Sequence, residues 1–165
     1  MDDICVYVFN HVKIIGSLFA LPANEEEICE RLEAKNWSEC TVSGSDLPMN
    51  FNEDAEIAYI NQQYQAYLEL QEMPIGKCAD KFIKRGCVKD FSELLSRIGE
   101  IRFYVGCNSM ADVAYRRVMA EYPVMRELPQ SLIKYFCFEA LGSDMKNKWE
   151  YIYEEENDIL FEIKR

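Results

Sequence analysis

Apolar residues recur along the chain with two periods, near 2 and near 3.6, and the switches between them divide it into strands and helices. From Ile4 to Phe9 apolar positions alternate around Val6 and Val8, while Ile14 to Leu21 is rich in β-branched and aromatic residues on either side of Gly16. Together these runs predict a hairpin, ended by Pro22. Asn24 with Glu27 then offers a cap for a helix whose Ile28 and Leu32 face inward, and a third strand near Cys40 to Ser43 completes a small sheet. Gly44-Ser45-Asp46 and Pro48 form a turn-rich boundary. Beyond it Asn52 is expected to cap a long helix running toward Leu70, with Ile57, Ile60, Tyr64, Tyr67 and Leu68 on one stripe. Tyrosines at that spacing read as packing residues rather than a base-stacking platform, which would want cationic neighbours.

Met73-Pro74 interrupts the pattern, and Gly76 opens a shorter helix with Cys78, Ala79, Phe82 and Ile83 on one face and Lys77, Lys81, Lys84 and Arg85 on the other, closed by Gly86. Asp90 and Glu93 cap the next helix, with Phe91, Leu94 or Leu95, and Ile98 inward and Gly99 at its end. Glu100 to Cys107 alternates Ile101, Phe103 and Val105 with polar or mixed partners, the period of a half-buried strand. Ser109 and Asp112 open a helix with Ala111, Ala114, Tyr115, Val118 and Tyr122 at helical spacing, ended by Pro123. Pro129 suits the first turn of a second helix, with Leu132, Tyr135, Phe136 and Ala140 sharing a face and Gly142 as the stop. Trp149 to Tyr153 and Ile159 to Ile163 predict a terminal hairpin joined by the acidic loop Glu154 to Asp158. The expectation is an α+β chain of small subdomains, antiparallel sheets plus helices: an N-terminal α+β part (1–50), a central helical part (51–99) and a C-terminal α+β part (100–165).

Charge sharpens this outline. The chain has 29 acidic and 18 basic residues in 165, a formal net charge of −11. Residues 1–75 hold 14 acids and 3 bases, residues 76–106 hold 4 and 7, and residues 107–165 hold 11 and 8. All the excess sits in the first half, which argues against nucleic acid as its direct partner and for a basic one. The basic stripe Lys77 to Lys89 reads first as a solvated or acid-paired face, since only one short helix contributes to it. No apolar run reaches 18 residues, and Met1-Asp2-Asp3 lacks the basic start of a secretory signal, so neither a membrane partner nor export is expected; the cytoplasm is. Seven cysteines without a Cys-x-x-Cys pair or a nearby histidine read as small hydrophobes in a reducing compartment rather than as zinc ligands.

Catalytic signatures are missing. The single histidine, His11, falls in the expected hairpin turn, and the chain has no glycine-rich phosphate loop, no Gly-x-Ser-x-Gly and no His-Glu-x-x-His. The Glu154 to Asp158 loop lacks the spacing and glycine of an EF-hand. The expectation is a protein that is not an enzyme, with no cofactor and no metal.

The order of motifs resembles the ArdA antirestriction family of conjugative plasmids and transposons. There an Asp-Val-Ala helix leads to Glu-Leu/Ile-Pro, a Leu, a Tyr-rich helix and an Ala-aromatic-Gly-Arg-Asp-Leu ending. Matching residues here are Asp112, Val113, Ala114, Glu127, Leu128, Pro129, Leu132, Tyr135, Ala140, Gly142 and Asp144. Phe136-Cys137-Phe138 replaces the family's Ile-Asp-Tyr, and Ser143 stands where its arginine is expected. Tyr7-Val8, Gly16 through Phe19 to Pro22, the acidic helix from Glu25 and Asp46-Leu47-Pro48 follow in family order. The resemblance implies an elongated chain of three small units, dimerising through the last, that acts as a DNA decoy in the groove of type I restriction-modification enzymes and so protects a mobile element. On that reading Glu25, Glu26, Glu30, Glu33, Asp46, Glu53, Asp54, Glu56, Glu69 and Glu72 form the binding surface. Asp112, Glu127, Leu128, Pro129, Leu132, Tyr135, Gly142 and Asp144 organise the C-terminal unit and its self-association. The alternative is a protein-interaction or regulatory module that keeps the fold without imitating DNA, a reading the basic stripe favours.

Overall fold

Val6 and Val8 alternate with more exposed neighbours in β1 (Cys5–Asn10), the middle strand of a three-stranded antiparallel sheet of order β2-β1-β3. β2 (Ile15–Ala20) returns in register from the turn at 11–14, pairing Asn10 with Ile15 and Cys5 with Ala20. β3 (Cys40–Ser45) lies on the other side, with a register shift beside Tyr7 and Val8. The computed structural model describes residues 3–164; Met1 and Asp2, on which part of the expectation about a leader rests, lie outside the described residues. The chain groups into two compact units, Met1–Ser96 and Arg97–Arg165.

In the first unit the inner face of the sheet packs on α1 (Glu25–Arg31) and the start of α2 (Ile57–Gln71), and one apolar cluster joins Val6, Val8, Phe19, Ile28, Leu32, Val42, Ile57 and Ile60. That cluster combines residues from the expected 1–50 and 51–99 parts. Asn24 caps α1 as expected, its side-chain oxygen accepting from the Glu26 and Glu27 N–H groups at 2.8 and 3.2 Å. Asn52 does not cap α2. The helix starts five residues later at Ile57, because the Glu53 carbonyl accepts from the Val42 N–H at 2.8 Å and holds this segment along β3. The buried stripe of α2 is Ile57, Ile60, Gln63, Ala66 and Leu70, so the expected Tyr64, Tyr67 and Leu68 lie at its margin.

A 3₁₀ turn (Pro74–Cys78) leads into α3 (Ala79–Lys84), which buries Ala79 and Phe82 and ends at Gly86 with φ +70°. α4 (Phe91–Ser96) opens with the expected reciprocal cap: Asp90 accepts from the Glu93 N–H and Glu93 accepts from the Lys89 N–H, both at 2.8 Å. Gln63 secures the same end, donating to the Ser92 hydroxyl at 3.0 Å and accepting from the Ser92 N–H at 3.1 Å.

The second unit has a three-stranded antiparallel sheet of order β4-β6-β5, built from β4 (Arg102–Val105), β5 (Trp149–Glu154) and β6 (Ile159–Lys164). The terminal hairpin therefore places its last strand in the middle. β4 has the expected period but the opposite face: Tyr104 is buried, whereas Phe103 and Val105 are 66% and 49% exposed. Tyr104 faces the cluster formed with Val113, Ala114 and Met145, from α5 (Met110–Glu121) and α7 (Phe138–Met145). A one-residue shift in a period-2 element inverts every side chain, so alternation alone did not choose the face.

Ser109 and Asp112 form the cap on α5, but the expected second helix is broken. α6 (Gln130–Ile133) is a single turn, buries Ile133 and leaves Tyr135 78% exposed. Gly142 lies within α7, where a Cβ would come within 2.5 Å of the Met110 carbonyl oxygen. It is a helix-contact glycine rather than a stop.

Candidate functional site: an exposed acidic surface

All ten carboxylates singled out from the sequence belong to the first unit, and all ten are exposed. Their placement follows from the buried residues beside them. At about 100° per residue, Glu25, Glu26 and Glu30 fall within an arc of roughly 140° on α1, away from the buried Ile28. Glu25 and Glu26 also complement the positive end of the helix dipole, so the first turn tolerates its crowded charge. Glu33 follows the helix with φ 53° and has Lys13 at 3.9 Å; both side chains are well exposed, so the pair contributes little.

Asp46 sits just past β3 and accepts from the Cys5 N–H at 2.9 Å, which fixes the corner of the sheet. Glu53, Asp54 and Glu56 lie on the segment held against β3, and Glu69 and Glu72 are three residues apart at the end of α2. The carboxylates thus sit on helices, at their ends, or on loops beside the sheet.

Among the described residues, three other carboxylates are buried: Asp90, Glu154 and Glu162. Each satisfies local donors. Asp90 caps α4 and accepts from the Tyr59 hydroxyl at 3.1 Å, and burial together with that bond pushes the Tyr59 phenol up to about 12. Glu154 accepts from the Glu156 and Asn157 N–H groups and closes the acidic hairpin loop.

Glu162 lies at the centre of a cluster that the sequence did not announce. Arg117 donates to both its oxygens at 3.3 Å and Tyr151 donates its hydroxyl, while the Arg117 guanidinium stands 4.7 Å from the Trp149 ring centre. Arg117 and Arg102 also bond Glu121, and the Arg102 bond foremost holds the Glu121 carboxyl below its ordinary range. Burial, then Glu162, pushes the Tyr151 phenol up. The available sign was one glutamate inside the apolar run Ile159-Leu160-Phe161-Glu162-Ile163. Beside this cluster lies a hollow of about 350 Å³ lined by Arg117, Glu121, Tyr122, Lys148 and Trp149, among others.

His11 is exposed in the hairpin turn. Among the described residues no group of three His, Cys, Asp or Glu is placed to hold a metal ion, and no helix is long and apolar enough to cross a membrane. Along the basic stripe Lys84 pairs with Asp80 at 2.7 Å, and Lys89 reaches the buried Asp90 at 3.9 Å.

The residues singled out in the second unit have mixed placements. Asp112 closes the cap of α5, Gly142 is buried against it, and Leu128 is half-buried. Glu127, Pro129, Leu132, Tyr135 and Asp144 are exposed.

A family model described as "Antirestriction protein (ArdA)" matches residues 5–157. No curated protein matches the chain.

Proposed function

Since this chain belongs to the ArdA antirestriction protein family, we propose that it acts as a DNA decoy, occupying the DNA-binding groove of a type I restriction-modification enzyme. The reading rests chiefly on one observation: ten carboxylates of one unit are exposed, on helices or on the segments that flank helices and strands, while the buried carboxylates are others with hydrogen-bond partners of their own. Duplex DNA carries one charge per ~1.7 Å of axis, and enzymes that grip it present basic channels. A surface of fixed carboxylates offers such a channel the same sign of charge, without chemistry. The decoy needs no catalytic group or cofactor. It would act in the cytoplasm, where it serves a mobile element entering a new host.

Self-association through the second unit belongs to the same proposal. Leu132 and Tyr135 are 50% and 78% exposed, with Tyr122 and Val124 also open, which is more apolar surface than solvation asks for. A Tyr135→Glu variant that sediments as the parent does at every concentration removes that part.

Titration into a type I enzyme tests the main claim. DNA binding should fall competitively, and inhibition should weaken as salt rises, because its contacts pair opposite charges at a wet interface. Undiminished DNA binding at saturating protein rejects it.

A second reading, an interaction module without DNA imitation, is favoured by the exposed Lys77, Lys84, Arg85 and Lys89. In that case inhibition would be absent, and a partner would be lost when the stripe is reversed.

A further inference from the structure

The hollow of about 350 Å³ in the second unit lies where α5, α7 and β5 meet, and its lining divides by chemistry. Val118 from α5, Leu141 and Met145 from α7 and the Trp149 ring from β5 give it an apolar side. Arg117 holds that side in place: its guanidinium stands 4.7 Å from the Trp149 ring centre and is bonded to the buried Glu162. The wall is therefore formed before anything binds, which spares a ligand the cost of ordering it. Three exposed charged residues complete the lining: Glu121, Asp144 and Lys148.

The fold itself does not account for these charges. Glu121 is the last residue of α5 and Asp144 the last but one of α7, where the helix dipole is negative and a carboxylate is disfavoured. Neither helix carries a basic residue in its last turn. Arg102 and Arg117 compensate Glu121, but both donate to Oε1, at 2.6 and 3.1 Å, which leaves Oε2 open as an acceptor. Among the described residues the Asp144 carboxylate has no hydrogen-bond or ion-pair partner, and neither has the Lys148 ammonium. The hollow thus presents open groups of both signs beside an apolar wall.

We propose that this hollow is a binding site for a free α-amino acid with an apolar side chain. The inference stands apart from the decoy reading and survives its failure. Asp144 and Glu121 Oε2 accept from the ligand's ammonium, Lys148 donates to its carboxylate, and its side chain leaves water against Leu141, Met145 and Trp149. Both charges of the ligand are needed. A cation alone would sit beside an unanswered Lys148, and an anion alone would face two carboxylates. Small-molecule sites span roughly 300–1,000 Å³, so a hollow at the lower end suits one amino acid rather than a nucleotide. Affinity should rise with the apolar area that the side chain withdraws from water.

The test is isothermal titration calorimetry of the full chain with L-phenylalanine, L-leucine and glycine. The first two should bind saturably, and glycine should not. 2-Phenylethylamine lacks the carboxylate and 3-phenylpropionate lacks the ammonium; each should bind about tenfold more weakly than L-phenylalanine, or worse, since each forfeits a charge-assisted hydrogen bond. Asp144→Asn and Lys148→Gln, with parental circular dichroism, should weaken L-phenylalanine by a similar factor, and the ligand should shift the Trp149 indole N–H resonance of the parent. The proposal is overturned if neither apolar amino acid gives saturable heat at its solubility limit, if glycine or either analogue binds as tightly as L-phenylalanine, if both variants bind it as the parent does, or if the Trp149 resonance does not move. Where a variant fails to fold, the ranking of probes and the Trp149 resonance, both measured on the parent, decide the matter.

Discussion

Replacing Gly142 with alanine sets two effects of opposite sign against each other. Gly142 is buried in α7 against the first residue of α5, and an added Cβ would lie 2.5 Å from the Met110 carbonyl oxygen and 2.7 Å from its carbon. Inside a helix alanine is favoured over glycine by about 1 kcal/mol. The opposing effect is steric. A carbon beside a carbonyl oxygen settles at about 3.3–3.6 Å, so the two helices must part by roughly 1 Å. Both close partners are backbone atoms, and a rotamer change does not relieve the contact.

Parting them loosens the cluster of Tyr104, Val113, Ala114 and Met145 and pulls on the Ser109–Asp112 cap. Overpacking of a tight contact costs about 1–3 kcal/mol, and a weakened cap adds about 1 kcal/mol. With the propensity gain subtracted, the variant should lose roughly 1–3 kcal/mol. For a unit of this size that lowers the melting midpoint by about 4–8 °C per kcal/mol. The assay is thermal unfolding followed by near-ultraviolet circular dichroism in a Trp37→Phe background, leaving Trp149 of the second unit as the sole tryptophan. A variant as stable as its parent, or more so, refutes the claim that the α5–α7 contact requires glycine.

Gln63→Leu preserves the volume of a buried side chain but strips the Ser92 N–H of its acceptor, and the urea midpoint should drop by an amount equivalent to about 1–2 kcal/mol. Arg102→Met should return the Glu121 carboxyl toward its ordinary range in an NMR titration. Because the folded group is depressed, its contribution is present above the unfolded carboxylate value and is lost as pH falls through the folded one, so this variant's stability should depend less on pH in that acidic window. Tyr59, raised to about 12, contributes fully below the ordinary tyrosine value of about 10 and loses that contribution as pH rises between the two; Tyr59→Phe should flatten the alkaline unfolding curve. Reversal of Lys77, Lys81 and Lys84 to Glu should strengthen inhibition of a type I enzyme several-fold, since each removes repulsion from a basic channel; weaker inhibition by a variant with parental circular dichroism counts against the decoy.

Local structure is legible in the sequence where one residue type leaves few options. Asn24, the Asp90–Glu93 box and the Ser109–Asp112 box appear where their spacing placed them, because a cap is satisfied within four residues. It is not legible where a distant partner decides. The inward face of β4 depends on α5 lying over Tyr104, and the start of α2 depends on Glu53 being held by Val42 from another element. In the sequence Gly142 reads as a stop because glycine serves equally to end a helix and to let two helices touch, and only the approach of Met110 separates these uses. The ten acids needed no such partner. Each was expected at the surface because isolated carboxylates are costly to bury.

That cost also bears on what the acids can mean. Asp90, Glu154 and Glu162 show the fold accepting a buried carboxylate when donors are built around it, as Arg117 and Tyr151 are built around Glu162. Removing one partner from such a set leaves an unpaired charge, so these three are fixed by stability. The exposed ten carry little such constraint, apart from Asp46 at the sheet corner and Glu25 and Glu26 at the start of α1. The first 75 residues hold 14 acids against 3 bases, a crowding of like charge that keeps a chain soluble but opposes the compaction of the unit that carries it. On the proposed decoy reading, neutralising exposed acids should change what the protein binds far more than how stably it folds.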